Sequence, residues 1–273
     1  MDDYAYTPVR DFEIFRFFFR DEPLGIPHDR SAGSRPQAVL SLRHLGDMKF
    51  DPEHGNPARE AFLRGLGVDT AMVAGIHLHH TQHVAFIESH ADLAAALQAN
   101  PEGFDGIITA NPAIIPTVTV ADCMPVWIYC RHCGAFGVLH SGWKGTGILE
   151  RAVILLRERL GCTPDDLAVI FGPSIGSCCY EVDQARAAYF MDRFGSSSIR
   201  VTAGIHGARY HLDLLAANLH IAGTLSLSHI QIAHQCTVCT PRYGSFRREG
   251  AGSFTRMLAA CGYFPGLAAR YDA

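Results

Sequence analysis

The chain has 273 residues, 48% hydrophobic and 18% charged, with 26 Gly and 14 Pro, a composition typical of one large globular domain or two small ones. A formal net charge of −4 argues against a protein built around nucleic acid or an anionic membrane, and no apolar run approaches the ~20 residues of a membrane-spanning helix. The N-terminal stretch MDDYAYTPVRDFEIFRFFFRDEP lacks the basic region and small-residue cleavage site of a signal peptide, so a cytoplasmic protein is expected, with a monomer as the starting expectation.

In chain order, residues 10–20 read as an early strand and residues 22–36 as a Pro/Gly/Ser-rich loop. QAVLSLRHLGD is a strand ending at Gly46-Asp47, and helical apolar spacing with a glycine stop predicts a helix over about 57–65. Residues 68–89 read as two strands around a histidine-rich corner, 91–98 as a short amphipathic helix, and NPEGFDG as a turn. IITA and TVTVADC are strands. Residues 116–150 then read as strand, tight polar turn, strand, loop, strand, glycine-rich turn and helix start. ILERAVILLRERLG has a convincing helical stripe and a glycine terminator. LAVIFGPSIG is a buried strand entering a Gly/Pro turn, 178–195 is largely helical and 210–225 is an amphipathic helix. IQIAHQ reads as a strand, 236–250 as a loop, and SFTRMLAAC as a last helix before a frayed tail. Strands and helices alternate without a βα rhythm, which predicts α+β layers in a single domain rather than a doubly wound parallel sheet.

Nine cysteines is an odd number, and in an intracellular chain thiols serve more often as core residues, ligands or nucleophiles than as disulfides. Fifteen histidines, clustered at 77–83, raise the prospect of a metal site. Cys123 and His140 stand at the ends of neighbouring predicted strands beside turn residues, where sites are commonly built. Alone, each reads as a small core residue or a satisfied loop histidine. Together they suit either a nucleophile pair or two ligands of a metal whose third ligand comes from HLHHTQHV. Strand alternation puts His77 and His79 on one face and Leu78 and His80 on the other. A His-Cys-His set leaves zinc the open fourth position that catalytic sites use. Asp122 alternates away from Cys123 and reads as a residue holding the turn. SGWKGTG lacks the full spacing of a nucleotide-binding loop, so Lys144, Gly145 and Gly147 read as a tight turn. Cys130 and Cys133, taken with Cys236 and Cys239, have the spacing of a structural zinc knuckle, but reduced thiols at a turn and in the core are the preferred reading, and Cys178 and Cys179 read as packing residues.

HTQHV (80–84), TVTVADCMPVWIY (117–129), VLHSGWKGTGILE (138–150), FGPSIGSCCYEV (171–182), HLDLLAAN (211–218), CTVC (236–239) and YGSFRREG (243–250) occur in this order. The set resembles the family once called laccase-domain or polyphenol-oxidase-like proteins and now regarded as purine nucleoside phosphorylases, over most of the chain. The resemblance implies a single layered α/β/β/α sandwich over residues 1–273, with mixed, largely antiparallel sheets, related to cytotoxic necrotizing factor. It implies zinc held by His80, Cys123 and His140, and an active-site arginine at Arg59, which otherwise reads as a solvated helix-face cation. The implied reactions are phosphorolysis of adenosine, inosine, guanosine and methylthioadenosine, and deamination of adenosine, with purine nucleosides and phosphate as partners. Copper and phenol oxidation, implied by the older family name, form the second reading. A metal-free Cys123–His140 hydrolase and a non-catalytic binding protein complete the alternatives. Three departures stand out: GIPHDRSAG occupies the family's N-terminal Thr-Arg-x-Gly-Gly segment, Leu78-His79 replaces a Gln-Val, and AGSFTRM replaces the closing Thr-Gly-Arg near Arg256.

Overall fold

The structure, a computed structural model, describes residues 7–8, 11–22, 35–205 and 207–267. Most of the expected loop at 22–36 and the end of the expected tail lie outside the described residues.

Two six-stranded sheets form the centre. One runs in the order Thr7–Pro8, Phe12–Arg16, Gln37–Ser41, Met257–Gly262, Ile115–Val120, Val73–Gly75, and the other in the order His229–Ile232, Leu167–Phe171, Met124–Cys130, Phe136–Ser141, Gly106–Thr109, Val84–Ile87. Most neighbours are antiparallel; Val73–Gly75 with Ile115–Val120, Val84–Ile87 with Gly106–Thr109, and Leu167–Phe171 with His229–Ile232 are parallel. The strands are apolar on both faces because each sheet is covered on both sides. Val118, Met257 and Ala259 of the first sheet meet Trp127, Tyr129 and Val138 of the second. Trp127 is fully buried and its indole N–H donates to Ala260 O across the gap at 2.9 Å. The other face of the first sheet packs Ile14, Val39 and Leu258 against Phe62 and Leu63 of the helix Pro57–Gly65. The other face of the second packs Val126, Ile128 and Leu139 under the helices Ile148–Leu160, Gln184–Phe194 and Leu214–Thr224. The result is the expected α/β/β/α layering, with α+β content and largely antiparallel sheets.

Three local expectations change. The segment expected as a last helix forms the strand Met257–Gly262, fully buried between Gln37–Ser41 and Ile115–Val120. Its Leu and Ala residues favour a helix intrinsically, but burial on both faces of a central strand overrides that weak preference. The helix expected from 210 begins at Leu214, because Gly207–Leu212 pairs with Ile199–Gly204 and with Glu181–Val182 in a small third sheet. Within the expected loop at 236–250, Phe246–Glu249 forms one helical turn capped by Ser245.

Candidate metal centre

The link from Ile115–Val120 to Met124–Cys130 passes from one sheet to the other through Ala121-Asp122-Cys123. Asp122 makes this sharp crossing with φ 83°, in the left-handed region that costs a non-glycine residue energy. Its surroundings hold it there. Its side chain accepts from Thr237 Oγ1 and from the Arg247 N–H, both at 2.6 Å, and its carbonyl accepts from the Ile175 N–H at 2.9 Å. Cys123 is thereby set beside the antiparallel pair in which Pro125 faces His140.

His80 arrives from a different layer. Residues 76–83 have no regular strand geometry, so the expected alternation does not apply: His77, Leu78 and His80 all line the same cavity. His77 meets Phe50 edge-to-face at 5.1 Å, and His79 turns away to pack against Gly103. The donor atoms of His80, Cys123 and His140 lie within 4.8 Å of one another. His80 sits at φ 61°, again left-handed. Gly142 allows this approach, because a Cβ there would lie 2.7 Å from Cys123 Sγ.

The residue that organises the three was not singled out in the sequence. Asp105, in the turn before Gly106–Thr109, is fully buried. One carboxylate oxygen accepts from the His80 N–H at 3.0 Å and meets His140 Nδ1 at 2.9 Å. The other accepts from the His79 N–H, the Thr81 N–H and the Thr81 hydroxyl at 3.1, 2.7 and 3.0 Å. Burial works to raise the Asp105 pKa, but His140 and Thr81 outweigh it and hold the carboxyl below its usual range. Burial likewise opposes ionisation of Cys123 and His140, yet the pair supports itself. The two histidines bring the thiol down to about 6, while Cys123 and Asp105 push the His140 imidazole up. A carboxylate on Nδ1 leaves Nε2 as the ring nitrogen for a metal, the arrangement by which metal-binding histidines are oriented. Two imidazoles and a readily ionised thiolate match the borderline-soft character of zinc.

The three donors open onto a cavity of about 650 Å³, within the range of small-molecule sites. Phe50, Trp143, Tyr180, Phe246 and Phe254 supply aromatic surface, and Lys49, Arg186, Arg247 and Arg256 supply positive charge. Arg186 covers the Trp143 ring at 4.0 Å, and Arg256 covers Phe254 at 4.1 Å while pairing with Asp47 at 2.8 Å. Arg247 donates to Cys179 O at 3.1 Å and covers the Tyr180 ring at 5.5 Å.

Arg59 does not join the lining. Its side chain is buried, donating to Thr117 Oγ1 at 2.6 Å and to Met48 O at 3.2 Å, with its guanidinium over the ring of Phe50. Burial lowers its pKa to about 10, which leaves it charged at neutral pH.

The Cys130–Cys133 and Cys236–Cys239 pairs do not combine. Cys130 faces Leu167 at the start of Leu167–Phe171, where Cys130 and Cys133 meet Cys162. Cys236 lies past the other end of that strand, bridged to Ser174, and there Cys236 and Cys239 meet Cys178 and Cys179. The two motifs are thus at opposite ends of one sheet.

A family model described as multi-copper polyphenol oxidoreductase laccase matches residues 29–263. Among curated proteins, the chain is 32% identical over 164 residues to the purine nucleoside phosphorylase YlmD of Geobacillus stearothermophilus, covering 59% of this chain and 60% of that protein. It is 28% identical over 248 residues to a purine nucleoside phosphorylase of Deinococcus radiodurans (88% and 90% covered). It is 31% identical over 204 residues to adenosine deaminase RL5 from an unknown prokaryotic organism (72% and 77% covered). The crystal structure of Geobacillus stearothermophilus YlmD superposes with a TM-score of 0.71 at 25% identity, covering 84% of this chain and 92% of that one. The chain belongs to the multi-copper polyphenol oxidoreductase laccase family.

Proposed function

We propose that the protein is a single-domain enzyme of purine nucleoside metabolism. It uses a zinc site at His80, Cys123 and His140 to split nucleosides such as inosine, adenosine, guanosine and methylthioadenosine with phosphate, and also deaminates adenosine. The observation that carries this reading is the convergence of those three donors on a cavity that offers both aromatic surface and cations. The named activities of the relatives, phosphorylase and deaminase, support it. His80, Cys123 and His140 would hold the zinc, which would supply Lewis-acid chemistry beside the substrate.

The chain's own residues do the rest. The aromatic walls bind the flat purine by stacking. Arg247, whose guanidinium among the described residues bonds a carbonyl and no carboxylate, is the cation left to hold phosphate, helped by Lys49. Arg59 keeps Phe50 in place from behind, and its buried charge favours an anion in the cavity. Burial and nearby Cys123 push the Tyr180 phenol up to about 12, so it stays protonated and donates a hydrogen bond to the departing base. Closely placed phosphate and nucleoside need little further help, because orientation alone removes much of the barrier.

Zinc is preferred to copper on the donor sets. A multicopper oxidase needs several histidine-rich centres, whereas the other two donor clusters among the described residues contain only cysteines. Nine unpaired thiols suit a reducing compartment, and we place the enzyme in the cytoplasm; among the described residues no helix is long and apolar enough to cross a membrane. The row Cys123–His140–Asp105 also has the order of a thiol hydrolase triad, and this is the second reading. The deciding experiment incubates zinc-loaded protein with inosine or adenosine, with and without phosphate. Phosphate-dependent release of base is expected. A zinc-loaded protein that releases neither base nor ammonia sinks the proposal, and iodoacetamide labelling of Cys123 that zinc does not slow moves the balance to the thiol hydrolase.

A further inference from the structure

A second group of metal-ligating side chains lies outside the centre described above. The sulfurs of Cys178, Cys179, Cys236 and Cys239 all lie within 4.8 Å of one another. We propose that these four thiolates bind one zinc ion in a closed tetrahedral site that clasps two segments of the cavity wall together.

The spacing fits such an ion. Cys239 Sγ is 3.7 Å from Cys178 Sγ and 3.4 Å from Cys179 Sγ; a tetrahedron with Zn–S bonds of ~2.3 Å puts its sulfurs roughly 3.8 Å apart. Packing does not account for the group, because Cys178 and Cys239 are exposed, and a core role belongs to buried cysteines. The backbone is shaped for a thiolate. The Gly176 N–H donates to Cys236 Sγ at 3.3 Å, and the Thr240 N–H donates to Cys236 O at 3.0 Å. The second bond closes a turn through Cys236-Thr-Val-Cys239, which brings its two sulfurs to one side as a metal knuckle requires.

Main-chain bonds bring the two halves side by side: the Ser174 N–H donates to Gln235 O, and the Thr237 N–H to Ser174 O. Zinc with four thiolates carries two net negative charges. Two guanidiniums stand at the rim, Arg247 on Cys179 O and Arg248 on the carbonyls of Thr237 and Val238. Binding exchanges four thiol protons for one Zn²⁺, with no change of oxidation state. By contrast, Cys130, Cys133 and Cys162 offer three sulfurs and no fourth donor among the described residues.

The clasp joins residues that line the cavity. Ile175 and Tyr180 come from one segment, and Phe246 and Arg247 follow the other. Asp122, next to Cys123, bonds both.

The test uses full-length protein purified reduced and without chelator. The His80→Ala/His140→Ala variant removes the first site, so its metal content reads the second alone, whatever the fate of the proposed activity. Elemental analysis and native mass spectrometry are expected to find one zinc per chain in that variant, lost when Cys178→Ser and Cys239→Ser are added. Should the combined variant fold poorly, cobalt replacement in the His80→Ala/His140→Ala protein serves instead, with the intense thiolate-to-cobalt absorption of a four-sulfur site expected. Zinc should also slow alkylation of these four cysteines, identified by peptide mass, at least tenfold. A reduced, zinc-supplied His80→Ala/His140→Ala variant that holds no stoichiometric zinc overturns the proposal. So does alkylation at the same rate with and without zinc, or the red colour of an iron tetrathiolate in place of zinc.

Discussion

Replacing Asp105 with asparagine tests how the centre is held. The carboxylate serves five partners: His80 N–H and His140 Nδ1 on one oxygen, and His79 N–H, Thr81 N–H and the Thr81 hydroxyl on the other. Asparagine keeps only one acceptor oxygen. If its amide nitrogen takes the place nearest His140, it donates to Nδ1, and the ring proton moves to Nε2, the nitrogen needed by a metal. The His80 N–H also loses its acceptor. If the nitrogen takes the other place, the N–H groups of His79 and Thr81 are orphaned instead. One N–H group is orphaned in the first placement and two in the second, each at about 1–3 kcal/mol, so a loss on the order of 1–6 kcal/mol of stability is expected. Disturbing a carboxylate behind a metal-bound histidine typically costs about 10–100-fold in affinity or activity, equivalent to roughly 1.4–2.8 kcal/mol. Zinc affinity measured against a competing chelator, together with urea unfolding of the metal-free protein, checks both figures. An Asp105→Asn protein with parental stability and parental zinc affinity refutes the reasoning, since no placement of the amide satisfies all five partners.

Other changes probe separate parts of the molecule. His140→Ala should abolish stoichiometric zinc at the first site and reduce base release to background, while far-UV circular dichroism stays parental; retained turnover without that zinc contradicts the proposed chemistry. Arg247→Ala should lower kcat/KM for phosphate roughly 10–100-fold, the worth of a hydrogen bond to a charged group, with a smaller effect on purine binding; an unchanged phosphate dependence removes Arg247 from that role. Trp127→Ala, which empties a fully buried site between the sheets and orphans Ala260 O, should cost about 3–5 kcal/mol in urea unfolding, and a loss under ~1 kcal/mol contradicts the two-sheet core. Burial raises the Glu249 pKa, but the N–H groups of Thr255 and Ser245 with Arg248 and Arg43 outweigh it and hold the carboxyl below its usual range. Because the folded value is the lower one, its contribution is present above the unfolded glutamate value of ~4.3 and is lost as pH falls through the folded value. Glu249→Gln should therefore flatten the acid limb of stability, and identical acid profiles for parent and variant refute this.

Local pattern determined a good part of this protein. The helix Ile148–Leu160 has a stripe of apolar residues and a glycine stop, and both its ends lie within a few residues of those expected. The strands Ile115–Val120, Met124–Cys130 and Phe136–Ser141 are apolar runs broken by turn residues, so Cys123 and His140 stood out as strand-end residues able to meet. Contacts between distant segments decided the rest. Which histidine joins them depends on Asp105, 25 residues from His80, which in sequence resembles an exposed turn residue. Its burial, and its grip on the backbone of residues 79–81, break the alternation that a strand would impose. The grouping of the cysteines was equally hidden, because Cys-x-x-Cys spacing says nothing about which end of a sheet each pair occupies. The strand Leu167–Phe171 separates Cys130 from Cys236 along its length. The same holds for Met257–Gly262: helix-favouring residues became a central strand because two neighbouring strands and two apolar layers were waiting for it, and nothing within those six residues records that.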